Sequence, residues 1–144
     1  MDREMLRVLV VDDHPEVRDT LEAFLVAEGH LALVAKNGRR AVEVAAHFRP
    51  DVIFLDVKMP VLDGFGALGE LRQLLPEAEI VMMTAYPEME TINRAFKEGA
   101  VGFLGKPFDM AAIRAVLREF STRKKAAVFL QGATGGVRGA GSAG

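Results

Sequence analysis

Five apolar runs, each followed by apolar residues at helical spacing, divide the chain from Leu6 to Phe120 into repeating strand–helix units. The first run, Leu6–Val11, has no polar alternation, as expected of a strand buried on both faces. Val17, Leu21, Phe24, Leu25 and Glu28 then fall on one helical stripe, which Gly29 stops. Leu31–Ala35 predicts a second strand. After the turn Lys36-Asn37-Gly38, residues Ala41, Val44, Ala45 and Phe48 form a second stripe, ended by Pro50. Asp51–Leu55 predicts the third strand, followed by a loop with Pro60 and Asp63-Gly64. Phe65, Leu68, Leu71 and Leu75 keep helical spacing up to Pro76, although Gly66 and Gly69 each cost about 1 kcal/mol against alanine. Glu79–Thr84 predicts the fourth strand. Pro87 opens a helix with Met89, Ile92 and Phe96 inward and Gly99 as its stop. The fifth strand is Val101–Leu104, and Asp109 caps a last helix that turns Ile113, Val116, Leu117 and Phe120 inward. Strict alternation implies a parallel sheet with helices on both faces, because parallel neighbours need right-handed helical crossovers. The expected fold class is α/β, a doubly wound sheet of five strands.

The 144 residues suffice for one domain with a real core. A net charge of −2 supplies no basic field to recruit nucleic acid, so no direct nucleic-acid contact is expected. The absence of cysteine excludes disulfides, thiolate metal sites and cysteine nucleophiles. No apolar stretch approaches the roughly 20 residues of a membrane helix, and no signal peptide opens the sequence. The chain therefore reads as cytoplasmic, with no membrane partner. Residues 1–125 are read as the folded domain. Residues 126–144 are read as a Gly/Ala-rich disordered tail, since the segment from Gly132 onward has no apolar face to bury.

In a parallel α/β sheet the carboxyl ends of the strands open onto one crevice. Asp12 and Asp13 follow the first run and Asp56 follows the third. Thr84 ends the fourth, and Lys106-Pro107 comes just after the fifth. Acids gathered there repel one another, and a hard divalent cation held by oxygens relieves the repulsion. These segments predict a metal beside a reactive aspartate. Each residue alone has a plainer reading. Asp12-Asp13 could cap a helix near Pro15, Thr84 suits any strand, and Lys106 suits any surface turn. Asp63 lies past the loop and is placed outside the site. His14, His30 and His47 lack ligand spacing and read as solvated, with only His14 close enough to brush the site. No Gly-rich phosphate loop is present, so ATP is not expected as a direct substrate.

The strings V-L-V-V-D-D, D-V-I-F-L-D-V-K-M-P-V-L-D-G, M-M-T-A-Y and F-L-G-K-P-F resemble the receiver domain of two-component response regulators. The resemblance runs from Leu6 to about Lys124, with every motif in order. It implies a flavodoxin-like sheet of order 2-1-3-4-5 and a cis Lys106–Pro107 bond, where sequence alone favours trans. It implies that Asp56 is the phosphoacceptor. Mg²⁺ would be bound directly by Asp13, Asp56 and the backbone carbonyl of Lys58, and by Asp12 mostly through water. Lys106 would pair with Asp56 at rest and with a phosphoryl oxygen afterwards. Thr84 would donate its hydroxyl to the phosphoryl group, and Phe103 would fill the space it vacates. Many receivers carry tyrosine at the position of Phe103, so a contact that needs its hydroxyl is lost here. Lys58 and Tyr86, two positions beyond Asp56 and Thr84, stand where receivers tune dephosphorylation.

The implied partners are a histidine kinase or histidine phosphotransfer protein, an output domain or partner protein, and a phosphorylation-dependent homodimer. The implied catalysis is limited to the chain's own phosphorylation and dephosphorylation. A metal-dependent aspartyl-phosphate phosphatase or phosphotransferase is the competing class, but it usually needs a second aspartate where this chain has Lys58. An unphosphorylated binding module is the third, and the three acids with Thr84 and Lys106 speak against it. Lys58-Met59-Pro60 and the stretch after Thr84 resemble receivers attached to transcriptional activators. Val101-Gly102 lacks the acids found there in receivers joined to winged-helix domains, so their charge-paired dimer is not expected. Arg94, Lys97, Arg114 and Arg118 leave that face open as either a partner surface or an ordinary solvated one.

Overall fold

The computed structural model describes residues 5–59, 61–126 and 136–137. Its strands and helices alternate: β1 (Arg7–Val11), α1 (Pro15–Ala27), β2 (Leu31–Ala35), α2 (Gly38–Phe48), β3 (Val52–Asp56), α3 (Gly64–Leu74), β4 (Glu79–Thr84), α4 (Met89–Lys97), β5 (Gly102–Gly105) and α5 (Met110–Ala126). The five strands pair in parallel in the order β2-β1-β3-β4-β5. Every residue of β3 is buried, which accounts for its unbroken apolar run. At the sheet edge, β2 leaves Leu31 and Leu33 exposed.

Alternation along the strands sorts the core into two layers. Ile53 and Leu55 of β3 pack with Ala41, Ala45, Leu68 and Leu71 from α2 and α3. Val52 and Phe54 face the other way, toward Leu21 and Leu25 of α1 and Ile113, Val116 and Leu117 of α5. Met82 of β4 belongs to the first layer, with Ala95 of α4 and, at its margin, Phe103 of β5. The stops read from sequence hold: Gly29 and Gly99 follow α1 and α4 with φ of +93° and +115°, a region that suits glycine.

Several expectations need correction. The third strand starts one residue later, at Val52, and Asp51 before it accepts the Arg7 amide with its carboxylate at 2.9 Å. The shift makes Asp56 the last residue of β3. The fifth strand likewise runs one residue later, over Gly102–Gly105. Met89, expected inward, is 68% exposed. It is the first residue of α4, and helical side chains lean toward the N-terminus, which here carries it past the sheet. His30 is not solvated: it is buried, and its Nδ1 accepts the Leu6 amide at 3.0 Å. Within the tail, one short segment pairs with the sheet. Gly136–Val137 form β6, antiparallel to β5, with Gly102 opposite Val137. The outer edge of β5 would otherwise present unpaired backbone groups, which attract any extended segment. The rest of 127–144 lies outside the described residues. No described helix is long and apolar enough to cross a membrane.

Away from the carboxyl edge, Arg72 ties two loops together. Its Nη1 donates to the carbonyls of Leu75, Pro76 and Ala78 at 3.3, 2.9 and 2.8 Å, and its Nη2 to that of Gly99 at 2.8 Å. Arg72→Ala should lower stability to urea by about 3 kcal/mol, since bonds from a charged donor are worth about 1.5–3 kcal/mol each and several are lost together. Arg72→Lys should recover less than half, because one ammonium cannot span the fork. A loss below about 1 kcal/mol in Arg72→Ala would show that the clamp is not structural.

Candidate functional site

The parallel register brings the ends of β1, β3 and β4 level, with Val11 opposite Leu55 and Asp56 opposite Met83. Asp12 and Asp13 leave the end of β1, Thr84 ends β4 opposite Gly105, and Lys106 follows β5. Asp12 is fully buried, at 0% exposure. Its Oδ2 accepts Lys106 Nζ at 2.7 Å, and its Oδ1 accepts the His14 amide at 2.9 Å and lies 2.9 Å from His14 Nδ1. Arg18 Nη1 donates to the Asp12 carbonyl at 2.9 Å. The Lys106 ammonium also stands 3.4 Å from Asp56 Oδ1. Sequence reasoning paired this lysine with Asp56. The structure keeps that pair but places Asp12, whose side chain is fully buried, closer to the ammonium.

Two features hold the loop after β3. The Gly64 amide donates to the Val57 carbonyl at 2.9 Å, and a Cβ at Gly64 would overlap the carbonyl of Asp56. Asp63 caps α3 through the Gly66 amide at 2.8 Å, which keeps its carboxylate out of the acid cluster, as expected from its position. The peptide bond between Lys106 and Pro107 is cis, as the resemblance implied. The Lys106 amide donates to the Thr84 carbonyl at 2.7 Å, which joins the ends of β4 and β5.

Burial pushes the Asp56 carboxyl up to about 6, assisted by the charge of Asp12 and opposed by Lys106. Burial alone would lower the Lys106 pKa, but its bond to Asp12 and the charges of Asp56 and Asp12 hold it above its ordinary value. His14 is also raised, first by its bond to Asp12 and then by the charge of Asp13. Oxygens of Asp12, Asp13 and Asp56 and a ring nitrogen of His14 all lie within 4.8 Å of one another. Asp13 Oδ1 is buried without a hydrogen bond, although His14 Nδ1 stands 3.2 Å away. A carboxylate oxygen left unsatisfied among other hard donors is suited to a divalent cation, so these residues fit one. Lys58 borders the same shallow depression as Asp13, together with Val57, Met59, Asp63 and Phe65.

Thr84 is buried, and its Oγ1 accepts the Tyr86 amide at 3.0 Å. Phe103 is opposite Met82, two residues before Thr84, so all three share the sheet face that carries α4. Its ring meets Phe96 edge-on at 6.3 Å. On the rim, Lys58 Nζ lies 5.5 Å from the centre of the Tyr86 ring. The four charged residues are thus gathered, with Thr84 at the next strand end, Phe103 one layer below and Lys58 with Tyr86 above. Sequence reasoning undervalued His14 and missed Arg18. His14 had a signal, its place two residues after a carboxylate that can bond its amide. Arg18 had none.

The family profile described as response regulator receiver domain matches residues 8–118. The chain is 37% identical over 112 residues to regulatory protein AtoC of Escherichia coli, covering 78% of this chain and 24% of that protein. It is 34% identical over 116 residues to chemotaxis protein CheY of Halobacterium salinarum, covering 81% and 97%. The crystal structure of chemotaxis protein CheY4 of Vibrio cholerae superposes with a TM-score of 0.76 at 32% identity, covering 80% and 98%. The chain therefore spans about a quarter of one relative and nearly all of another.

Between its ordinary 3.8 and about 6, folded Asp56 keeps a proton that the unfolded chain has lost, so its contribution to stability falls as pH rises through that window. Asp56→Asn should therefore be more stable than the parent by about 2–3 kcal/mol near pH 7.5, the gap vanishing at low pH. Urea midpoints at both ends of the window check this. A variant no more stable at neutral pH would mean that Lys106 already compensates the charge.

Proposed function

The chain belongs to the family of response regulator receiver domains, the phosphoacceptor switches of two-component signalling, and we propose that Asp56 is the residue that takes up the phosphoryl group. The observation that carries this assignment is the Lys106 ammonium, 2.7 Å from Asp12 and 3.4 Å from Asp56 at the mouth of an acid cluster. A carboxylate attacks phosphorus poorly unless the group is held in line and its charge is balanced. A bound Mg²⁺ would supply much of that balance. Asp13, Asp56 and the Lys58 carbonyl would hold it directly, and Asp12, whose oxygens already serve Lys106 and His14, would reach it through water.

The remaining steps belong to the chain. An Asp56 oxygen forms the new bond to phosphorus as the bond to the donor breaks, and the donor's nitrogen or oxygen leaves with the electron pair. Lys106 then turns from the carboxylates to a phosphoryl oxygen. Thr84 Oγ1 accepts from the Tyr86 amide, which leaves its own proton to donate to another phosphoryl oxygen. Movement of Thr84 toward the site opens space on the face that Phe103 shares. A complete population shift from 1:99 to 99:1 needs about 5.5 kcal/mol, and one new hydroxyl bond gives about 1 kcal/mol. The isolated domain therefore switches partially, and partner contacts complete the change.

Residues 1–125 form the switch and 126–144 its tail, working in the cytoplasm. The donor is a histidine kinase or histidine phosphotransfer protein. Catalysis extends to the chain's own phosphorylation and slow hydrolysis. The similarity to regulatory protein AtoC, of which the chain spans about a quarter, supports control of an attached output domain, and the similarity to chemotaxis protein CheY, spanned almost entirely, supports control of a separate partner.

Acetyl phosphate with Mg²⁺ should add the mass of one phosphoryl group to the chain. Asp56→Ala should abolish the adduct, and an adduct that survives the substitution would move the acceptor elsewhere. Lys58 and Tyr86 form a cover of cation–π strength, about 0.5–1 kcal/mol when exposed, which converts to about two- to fivefold in rate. Lys58→Ala and Tyr86→Ala should each shorten the phosphoryl lifetime by that factor. Lifetimes equal to the parent's would show that the rim does not screen water.

A further inference from the structure

His14 stands among the metal-site acids without having a part in the chemistry above. Its side chain is 59% exposed, so it occupies the open side of the cluster, where a bound ion would meet solvent. Its Nδ1 lies 2.9 Å from Asp12 Oδ1 and 3.2 Å from Asp13 Oδ1. The spacing from Asp13 Oδ1 suits neighbouring donors on one octahedral ion, which with bonds of about 2.1 Å stand about 3 Å apart. To ligate, Nδ1 would give up its hydrogen bond to Asp12 and lose its proton to solvent, turning the freed lone pair to the ion. The His14 amide donates to Asp12 Oδ1, and the ring nitrogen contacts the same oxygen, which brings the imidazole to the cluster. Asp13 Oδ1, the buried oxygen without a hydrogen bond, is one of the two oxygens it faces.

We propose that His14 is a nitrogen ligand that makes this site favour imidazole-accepting first-row ions, from manganese(II) to nickel(II), over magnesium. The proposal rests on the reading that the acid cluster holds a divalent cation. Carboxylates and a carbonyl alone form a hard oxygen site that suits magnesium, which gains little from an imidazole and keeps its waters. Affinity for first-row ions rises steadily toward nickel, and a nitrogen donor steepens that rise. His14 would take one water position on the ion's exposed side. The alternative is that the imidazole only steadies Asp12 through its hydrogen bond, in which case every ion would feel its loss alike.

Calorimetric titration of the full chain with Mg²⁺, Mn²⁺ and Ni²⁺, before and after His14→Ala, separates the two. Nickel affinity should fall about tenfold or more, and magnesium affinity should change by less than about twofold. An equal loss for all three ions, or no loss for any, overturns the role of His14 while leaving the metal site intact. A parent chain that binds none of them overturns the underlying reading as well. Electron spin echo of Mn²⁺ on the unmutated protein gives an independent readout. Nitrogen modulation from a directly bound imidazole is expected, and an echo carrying only water and carboxylate signals refutes the assignment.

Discussion

Asp12 and Asp56 are almost completely buried, and Asp13 stands beside them, so three carboxylates share a crevice with the single ammonium of Lys106. The rest of the site depends on this imbalance. Charges in a partly dry cleft interact far more strongly than in water. One ammonium cannot satisfy three anions: burial first, and the charge of Asp12 second, raise the Asp56 pKa, and an Asp13 oxygen is left without a hydrogen bond. Such a cluster is prepared for cations and for a group that brings its own countercharge. The fold bears the cost of holding it together before any ligand arrives, and the strand ends do the holding.

The supports lie in the backbone. Lys106 is fixed by its amide on the Thr84 carbonyl, which ties the residue after β5 to the end of β4. The loop after β3 is pressed so closely on the Asp56 carbonyl that only glycine fits at position 64. Asp63 and Asn37 each cap a helix that starts on this side of the sheet. Small residues and short polar side chains thereby set where the large charges stand.

Much of this was legible because it follows from periodicity. An all-apolar run of β3 length has few alternatives once helical stripes flank it, and acids at strand ends must share an edge in a parallel sheet. What was illegible depends on side-chain partners distant in sequence. Nothing near Asp51 says that its carboxylate will accept the Arg7 amide. Nothing near His30 predicts a bond to the amide of Leu6, which turns an expected surface residue into a core one. Met89 has the spacing of a buried residue, but α4 has only nine residues, and its first turn lies beyond the sheet. The priority of Lys106 for Asp12 over Asp56 is a matter of depth, which a linear pattern does not encode.

The division of the core into two layers has a consequence for how news of a filled site would spread. Thr84, Met82 and Phe103 all face the side that bears α4. The opposite layer, with α1 and α5, meets the sheet through Val81, Met83 and Leu104, and α1 is bolted to α5 by the fork of Arg114 on Glu28. A rearrangement begun at Thr84 is therefore one-sided. Under the proposed switch the α4 flank would report the state of the aspartate, while the α1–α5 seam around Glu28 and Arg114 lies in the other layer and offers a partner a face less altered by loading.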